Sequence, residues 1–264
     1  MQSTWHPAPS SLAGILAGIW SVHADQHTDL AARVLPDNST SLVFQRVHAA
    51  LVSCAENRVR HWAPVAVSGP RTGAFEFTLR AGGSMMIVEL HPAGAHAVLG
   101  VPMKSLTDRG EALSDVIGPV PGALVDTVCS GTDDVTAIQA IESWLLERVR
   151  KHQRVCAATS LVVDEVIRTA GGIRVDDLAA RVRVSRRHLG RLMQQQLGIS
   201  PKLFARIVRF DRAVELGRFA SHLTLARIAV EAGYADQAHM NREFVDLGGI
   251  RPSDLRSDAG AMIW

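Results

Sequence analysis

A pattern that occurs twice, 51 residues apart, dictates how the last third of this 264-residue chain must fold. The first copy runs Ser185, Leu189, Met193, Gly198, Pro201; the second runs Asp236, Met240, Phe244, Gly249, Pro252, at identical offsets. In each copy an N-cap residue precedes apolar residues four apart, then a glycine stop and a proline restart. That describes one short helix with one buried face. Ahead of each copy sits an alanine-containing apolar segment, Leu178-Ala179-Ala180 and Ile228-Ala229-Val230. A supporting helix, a turn and a second helix with a polar outer face, present twice, predict paired helix-turn-helix units that read DNA.

In the first unit Val175–Val182 is the expected supporting helix, and Ser185 caps the next helix, over about 185–197. With Leu189 and Met193 buried, an advance of about 100° per residue places Arg187, Arg191 and Gln194 on the opposite face. Arg186 lies nearer the buried side by angle, but it sits at the helix N-terminus, where recognition helices meet base edges. In the second unit Leu225, Ile228 and Ala229 supply the buried side, and Gly233 supplies a permissive turn residue. Asp236 caps a helix over about 236–248 that carries Gln237, Ala238, His239, Asn241 and Arg242. Arginine forks suit guanine edges, and Gln or Asn amides suit adenine. A linking helix from Ser200-Pro201 to about Ala220 is expected to be roughly 30 Å long. Such a strut sets two recognition helices about one DNA turn, roughly 34 Å, apart. Phe204, Ile207, Val208 and Val214 are expected on its buried side, with Lys202, Arg206 and Arg209 outside.

Charge is distributed to match. Residues 1–154 carry 12 Lys+Arg against 14 Asp+Glu, whereas residues 155–264 carry 16 against 12. From Arg181 to Arg212 there are nine basic residues and one acidic residue, Asp211. That is the electrostatic footprint of a phosphate-binding surface, although a solvated helix face has the same composition. The exposed positions of the repeat differ while the buried ones agree. Arg186, Arg187 and Gly190 become Gln237, Ala238 and Asn241; only Arg191 keeps its type, as Arg242. One chain is therefore expected to read two unlike half-motifs in adjacent major grooves, as a non-palindromic site.

The preceding residues read as mixed with a strand bias. Ser41–His48, Ala74–Arg80 and Met85–Leu90 are runs of β-formers separated by turn signals, while Ala93–Leu99 and Glu111–Ile117 look like short helices. The expected fold class is α+β, a mixed β-rich N-terminal domain followed by an all-α double helix-turn-helix domain. The expected boundaries are 1–130 for an effector-binding or regulatory domain, 131–154 for a linker helix and 155–258 for the DNA-binding domain. In the linker, Val135, Ile138, Ile141, Leu145 and Val149 recur at helical spacing, as a dimerisation element or as a face docked on its own N-terminal domain. Three cysteines, odd in number and widely spaced, suggest neither a disulfide framework nor a metal site. The apolar run Leu12–Trp20 is too short to span a bilayer and lacks a basic flank, so a cytoplasmic protein with no membrane partner is expected.

These residues resemble the AraC/XylS family of bacterial transcription regulators. Gly233–Pro252, GYADQAHMNREFVDLGGIRP, is similar to that family's signature, and Ser185–Arg209, SRRHLGRLMQQQLGISPKLFARIVR, to its first unit and linker helix. Met193 stands where the family usually has phenylalanine, Arg251 where Ser or Thr is frequent, and Arg183 in a turn often occupied by glycine. The N-terminal part is similar to a sensor-like domain fused to some AraC-type regulators, through Arg33–Asp37 with Leu42-Val43-Phe44, Ser68-Gly69-Pro70 and Pro92–Thr107. The resemblance implies a DNA-binding transcriptional activator acting on promoter or operator DNA, with RNA polymerase, a small-molecule effector and a homodimer as partners. A repressor of the same fold is the alternative.

Two other classes compete. His48, His91 and His96 with Glu89 are candidate ligands of a metal-dependent enzyme, but no HxH, HExxH or Glu-x-x-His spacing joins them. A pure protein-interaction module is the other. The expectation is no cofactor, no metal and no catalytic residue.

Overall fold

The structure, a computed structural model, describes residues 2–47, 50–53, 59–131, 133–151, 155–220, 222–256 and 262–263. Among the described residues, ten strands build the N-terminal part: β1 (Gln2–Pro7), β2 (Leu16–His23), β3 (Leu30–Val34), β4 (Thr40–Val47), β5 (Ala50–Ser53), β6 (Val59–His61), β7 (Val65–Ser68), β8 (Phe75–Leu79), β9 (Ser84–Leu90) and β10 (Gly110–Ala112). One sheet has the order β1-β2-β9-β4-β7-β10. The other has the order β11-β3-β8-β5-β6, its edge strand β11 (Met262–Ile263) running parallel to β3 and every other pairing antiparallel. Helices α1 (Ala95–Leu99), α2 (Leu113–Ile117), α3 (Gly122–Cys129) and α4 (Asp134–Lys151) follow. The predicted α+β class holds. The expected helix over Glu111–Ile117 is confined to its second half, because Glu111 and Ala112 pair with Val67 and Ala66 as β10.

The central strands are covered on both faces, which is why they read as near-continuous apolar runs. Leu42, Phe44, Met86, Val88 and Leu90 point into one core beneath α1–α4, while Val43 and Met85 pack between the two sheets. A bulge at Ala17 brings Leu16 and Ile19, three apart, to the same face. A second bulge, at Arg46, breaks the β4–β9 register. The Arg46 guanidinium donates to the Val128 carbonyl at 3.1 Å and pairs with Asp134, tying β4 to the ends of α3 and α4. On α4, Ala137, Ile141, Trp144 and Leu145 are buried in the core under the sheet, and Ile138 and Val149 pack against it. Val135 alone of the predicted stripe is strongly exposed. The apolar face of this helix is therefore occupied within the chain.

The C-terminal part is helical: α5 (Ala157–Arg168), α6 (Val175–Arg181), α7 (Arg186–Gln196), α8 (Pro201–Phe219), α9 (Leu225–Glu231) and α10 (Gln237–Glu243). A π-turn, Phe244–Gly248, extends α10, and a 3-10 turn covers Pro252–Arg256. Two cores lie side by side. The first joins α5, α6 and α7 to Phe204, Ala205, Ile207 and Val208 of α8. The second joins α9 and α10 to Phe210, Ala213, Val214 and Leu216 of the same helix. The N-terminal part adds one buried residue to each, Ala93 to the first and Leu35 to the second, and Ala74 packs against the second.

Carboxylates gather where the two parts meet. Burial pushes the Glu89 carboxyl up to about 8, with the charges of Asp37 and Asp211 adding to the shift, while Trp20 donates to it at 3.0 Å. Asp211 on α8 is pushed up to about 7, mainly by burial, with Asp37 and Glu215 raising it further and Arg218 opposing. Asp37 is also raised by burial, against bonds from Ser39 and the Arg71 charge. A raised carboxyl pKa means the folded state holds protons that the unfolded chain releases. The contribution of these carboxyls to stability is therefore fully present below the ordinary carboxylate pKa of about 4 and is lost as pH rises towards 8. A Tm loss on the order of 5 °C across that window is expected. Glu89→Gln, which keeps an acceptor for Trp20, should flatten the slope in thermal melts; an unchanged slope would count against Glu89 as its source.

Candidate nucleic-acid interface

Each second helix begins as its sequence demands. Ser185 accepts from the His188 amide at 3.2 Å and Asp236 from the His239 amide at 2.6 Å. Ser200 caps α8 through the Leu203 amide at 3.2 Å, with Pro201 in the first turn. Leu189 and Met193 are buried on α7, and Met240 and Phe244 on α10 and its π-turn. Gly198 and Gly249 close the two helices in the left-handed conformation, at φ +78° and +61°.

The duplication carries one extra residue in its second turn. Val184 donates its amide to Ala179 at 3.0 Å, and Tyr234, 50 residues later, donates to Ala229 at 2.8 Å. Arg183 and Gly233, also 50 apart, are the left-handed turn residues, at φ +54° and +87°. The caps that follow are 51 apart, so Ala235 is the insertion. Arg183 holds its place without a glycine's freedom, which costs about 1 kcal/mol.

The predicted positions are brought to two solvent-facing surfaces. On α7, Arg187 and Arg191 are exposed and Gln194 is half-buried; on α10, Ala238, Asn241 and Arg242 are exposed and Gln237 is half-buried. Arg186 is exposed at the start of α7, and its Nε lies 3.1 Å from Asp176 of α6. His239 is half-buried, edge-on to the Tyr234 ring at 5.2 Å and 3.8 Å from Glu243. The expectation that Arg206 and Arg209 point outward is corrected. Arg206 donates to Glu243 at 2.7 Å and pairs with Asp246, so it ties α8 to the end of α10. Arg209 donates to the Gly171 carbonyl at 2.8 Å and lies 5.4 Å from the Tyr234 ring centroid. Each has a carboxylate, carbonyl or ring within reach on a neighbouring unit, a partner that helical periodicity does not register. Lys202 remains exposed.

The candidate metal ligands do not converge. His48 lies outside the described residues, and Glu89 is engaged by Trp20. Among the described residues no group of three or more His, Cys, Asp or Glu side chains is placed to hold a metal ion. Among them also, no helix is long and apolar enough to cross a membrane.

Two supporting helices, two capped helices with polar outer faces and one shared strut define a tandem helix-turn-helix module. Residues 178–258 match the family described as "Helix-turn-helix domain", and residues 4–111 match a "Domain of unknown function (DUF6597)". More particularly, the C-terminal part is an AraC-type helix-turn-helix domain. The HTH-type transcriptional regulator CdhR of Pseudomonas aeruginosa is 26% identical over 147 residues, covering 51% of this chain and 44% of the relative. GbdR, from the same species, is 34% identical over 84 residues, or 32% of this chain and 23% of its own length. The chain thus spans less than half the length of these curated relatives. Among solved structures, apo ToxT from Vibrio cholerae is 12% identical at a TM-score of 0.48, over 94% of this chain and 97% of that one.

Proposed function

We propose that the chain is a cytoplasmic, sequence-specific transcriptional regulator that inserts α7 and α10 into adjacent major grooves of one DNA duplex. The observation that carries this reading is the pair of capped helices with unlike exposed faces on one 19-residue strut. At 1.5 Å per residue the strut is about 28 Å long, which suits reading heads roughly one DNA turn apart. Arg187, Arg191 and Arg242 are the candidate guanine or phosphate donors, Gln194, Gln237 and Asn241 the candidate amide readers. Arg186 and His239 contribute at helix N-termini, one beside Asp176 and the other beside Tyr234. Because the α4 face is used internally, one chain per site suffices. Activation through RNA polymerase follows from the family resemblance.

A narrow cleft between the two N-terminal sheets is the candidate effector site. Val43, Trp62, Phe77, Met85 and Ile87 give it apolar walls, and Arg71, 4.2 Å over the Phe75 ring, stands at its polar side.

Selection of bound sequences from random DNA with the full chain is the direct test. The expected product is one asymmetric site bound by a monomer, with affinity falling steeply as salt rises. Equal affinity for selected and random DNA would sink the reading.

A further inference from the structure

The N-terminal part grips both helix-turn-helix units at positions equivalent in the repeat. The Thr107 hydroxyl donates to the Gly198 carbonyl at 2.8 Å. The Arg33 guanidinium donates to the Gly249 carbonyl at 3.2 Å, and the Ala74 amide to Leu247 at 3.0 Å. Gly198 and Gly249 are the left-handed residues that end α7 and α10, separated by the same 51 residues as the caps. Apolar contacts follow the same division, Ala93 entering the first core and Leu35 the second. The approach at the first unit is close: a side-chain carbon on Gly198 would lie 2.6 Å from the Thr107 hydroxyl and 2.7 Å from the Met103 carbonyl. None of these contacts uses the exposed faces of Arg187, Arg191, Asn241 or Arg242.

From this we infer that Thr107 and Arg33 are positioning residues that fix the relative placement of the two reading helices, and with it the half-site spacing the protein accepts. The inference rests on the DNA-reading function proposed above. The strut α8 joins the units, but a single helix resists bending and twisting less than one whose two attached units are each held by a third body. The two bonds, to carbonyls equivalent in the repeat, hold the C-terminal ends of the two reading helices. The braces are also continuous with the cleft between the sheets. Arg33 adjoins the lining residue Val34, and Ala74 adjoins Phe75. Thr107 adjoins Asp108, which accepts from Thr72 beside Arg71.

The test uses the full chain on its selected site and on versions with one base pair inserted or deleted between the half-motifs. Each base pair rotates one half-site by roughly 36° relative to the other. The wild type should discriminate strongly against both altered spacings. The double variant Thr107→Val with Arg33→Met keeps the apolar stems and removes both side-chain donors. Its preference for the native spacing should fall by roughly tenfold, as two hydrogen bonds of ordinary strength are lost. A variant that is merely less stable would lose affinity for all three DNAs alike and leave the ratio unchanged, so an unchanged ratio overturns the inference. Failure of the wild type to select any sequence would instead reject the DNA-reading function itself. Thermal melts of the variant confirm that it is folded when measured.

Discussion

Replacing Arg191 or Arg242 by alanine should weaken binding to the selected site by about 1–3 kcal/mol each, or roughly five- to 150-fold. Both side chains are exposed at the same offset in the two units, on helices whose opposite faces are buried by Leu189 and Met193 or by Met240 and Phe244. Neither substitution removes buried area, so thermal stability should stay nearly constant while affinity falls. Arg186→Ala provides the contrast, because its side chain is already shared with Asp176. Its loss should be smaller. Gel-shift titrations and footprints decide the matter: unchanged footprints in both Arg191→Ala and Arg242→Ala would reject the assigned reading faces.

The second large effect is on stability. Gly171, between α5 and α6, has φ +71°, and a side-chain carbon there would lie 2.0 Å from the Ala205 carbonyl oxygen. The same residue's carbonyl receives the Arg209 guanidinium. Gly171→Ala therefore meets three penalties at once: a left-handed backbone, a collision with α8 that cannot be relieved by a rotamer, and a displaced hydrogen-bond acceptor. A loss of about 3–5 kcal/mol is expected in urea denaturation of the full chain. Gly190→Ala is the matched control. It lies inside α7 with nothing within 4 Å of the added carbon, and should stabilise by roughly 0.5–1 kcal/mol through helix propensity. A loss at Gly171 below about 1 kcal/mol would mean that α5 and α8 separate more readily than their packing suggests.

The helical half of the fold was legible in the sequence because its signals are local. Ser185, Ser200 and Asp236 each cap the helix that follows, and the apolar pairs four apart are the residues the structure buries. The β-rich half was less legible. The short strand β7, Val65–Ser68, is buried at every residue and shows no alternation. The strand β3, with sequence LAARV, has little β-branched character and is held by pairing with β8. The run Leu12–Trp20 conceals the end of a 3-10 turn and the start of a strand whose Gly18 leaves room for the Trp5 ring, 2.2 Å from where a side-chain carbon would sit. The braces were beyond any local reading. Arg33 and Gly249 are separated by 216 residues, and neither has a neighbour that announces the other.

Helix α8 has a further consequence. Its first half completes one core and its second half the other, so each unit's core closes only on the shared rod. Melting either one would strip apolar cover from the middle of the same rod. The two units should therefore lose structure together, with amide exchange in α6, α7, α9 and α10 governed by one shared opening rather than two independent ones.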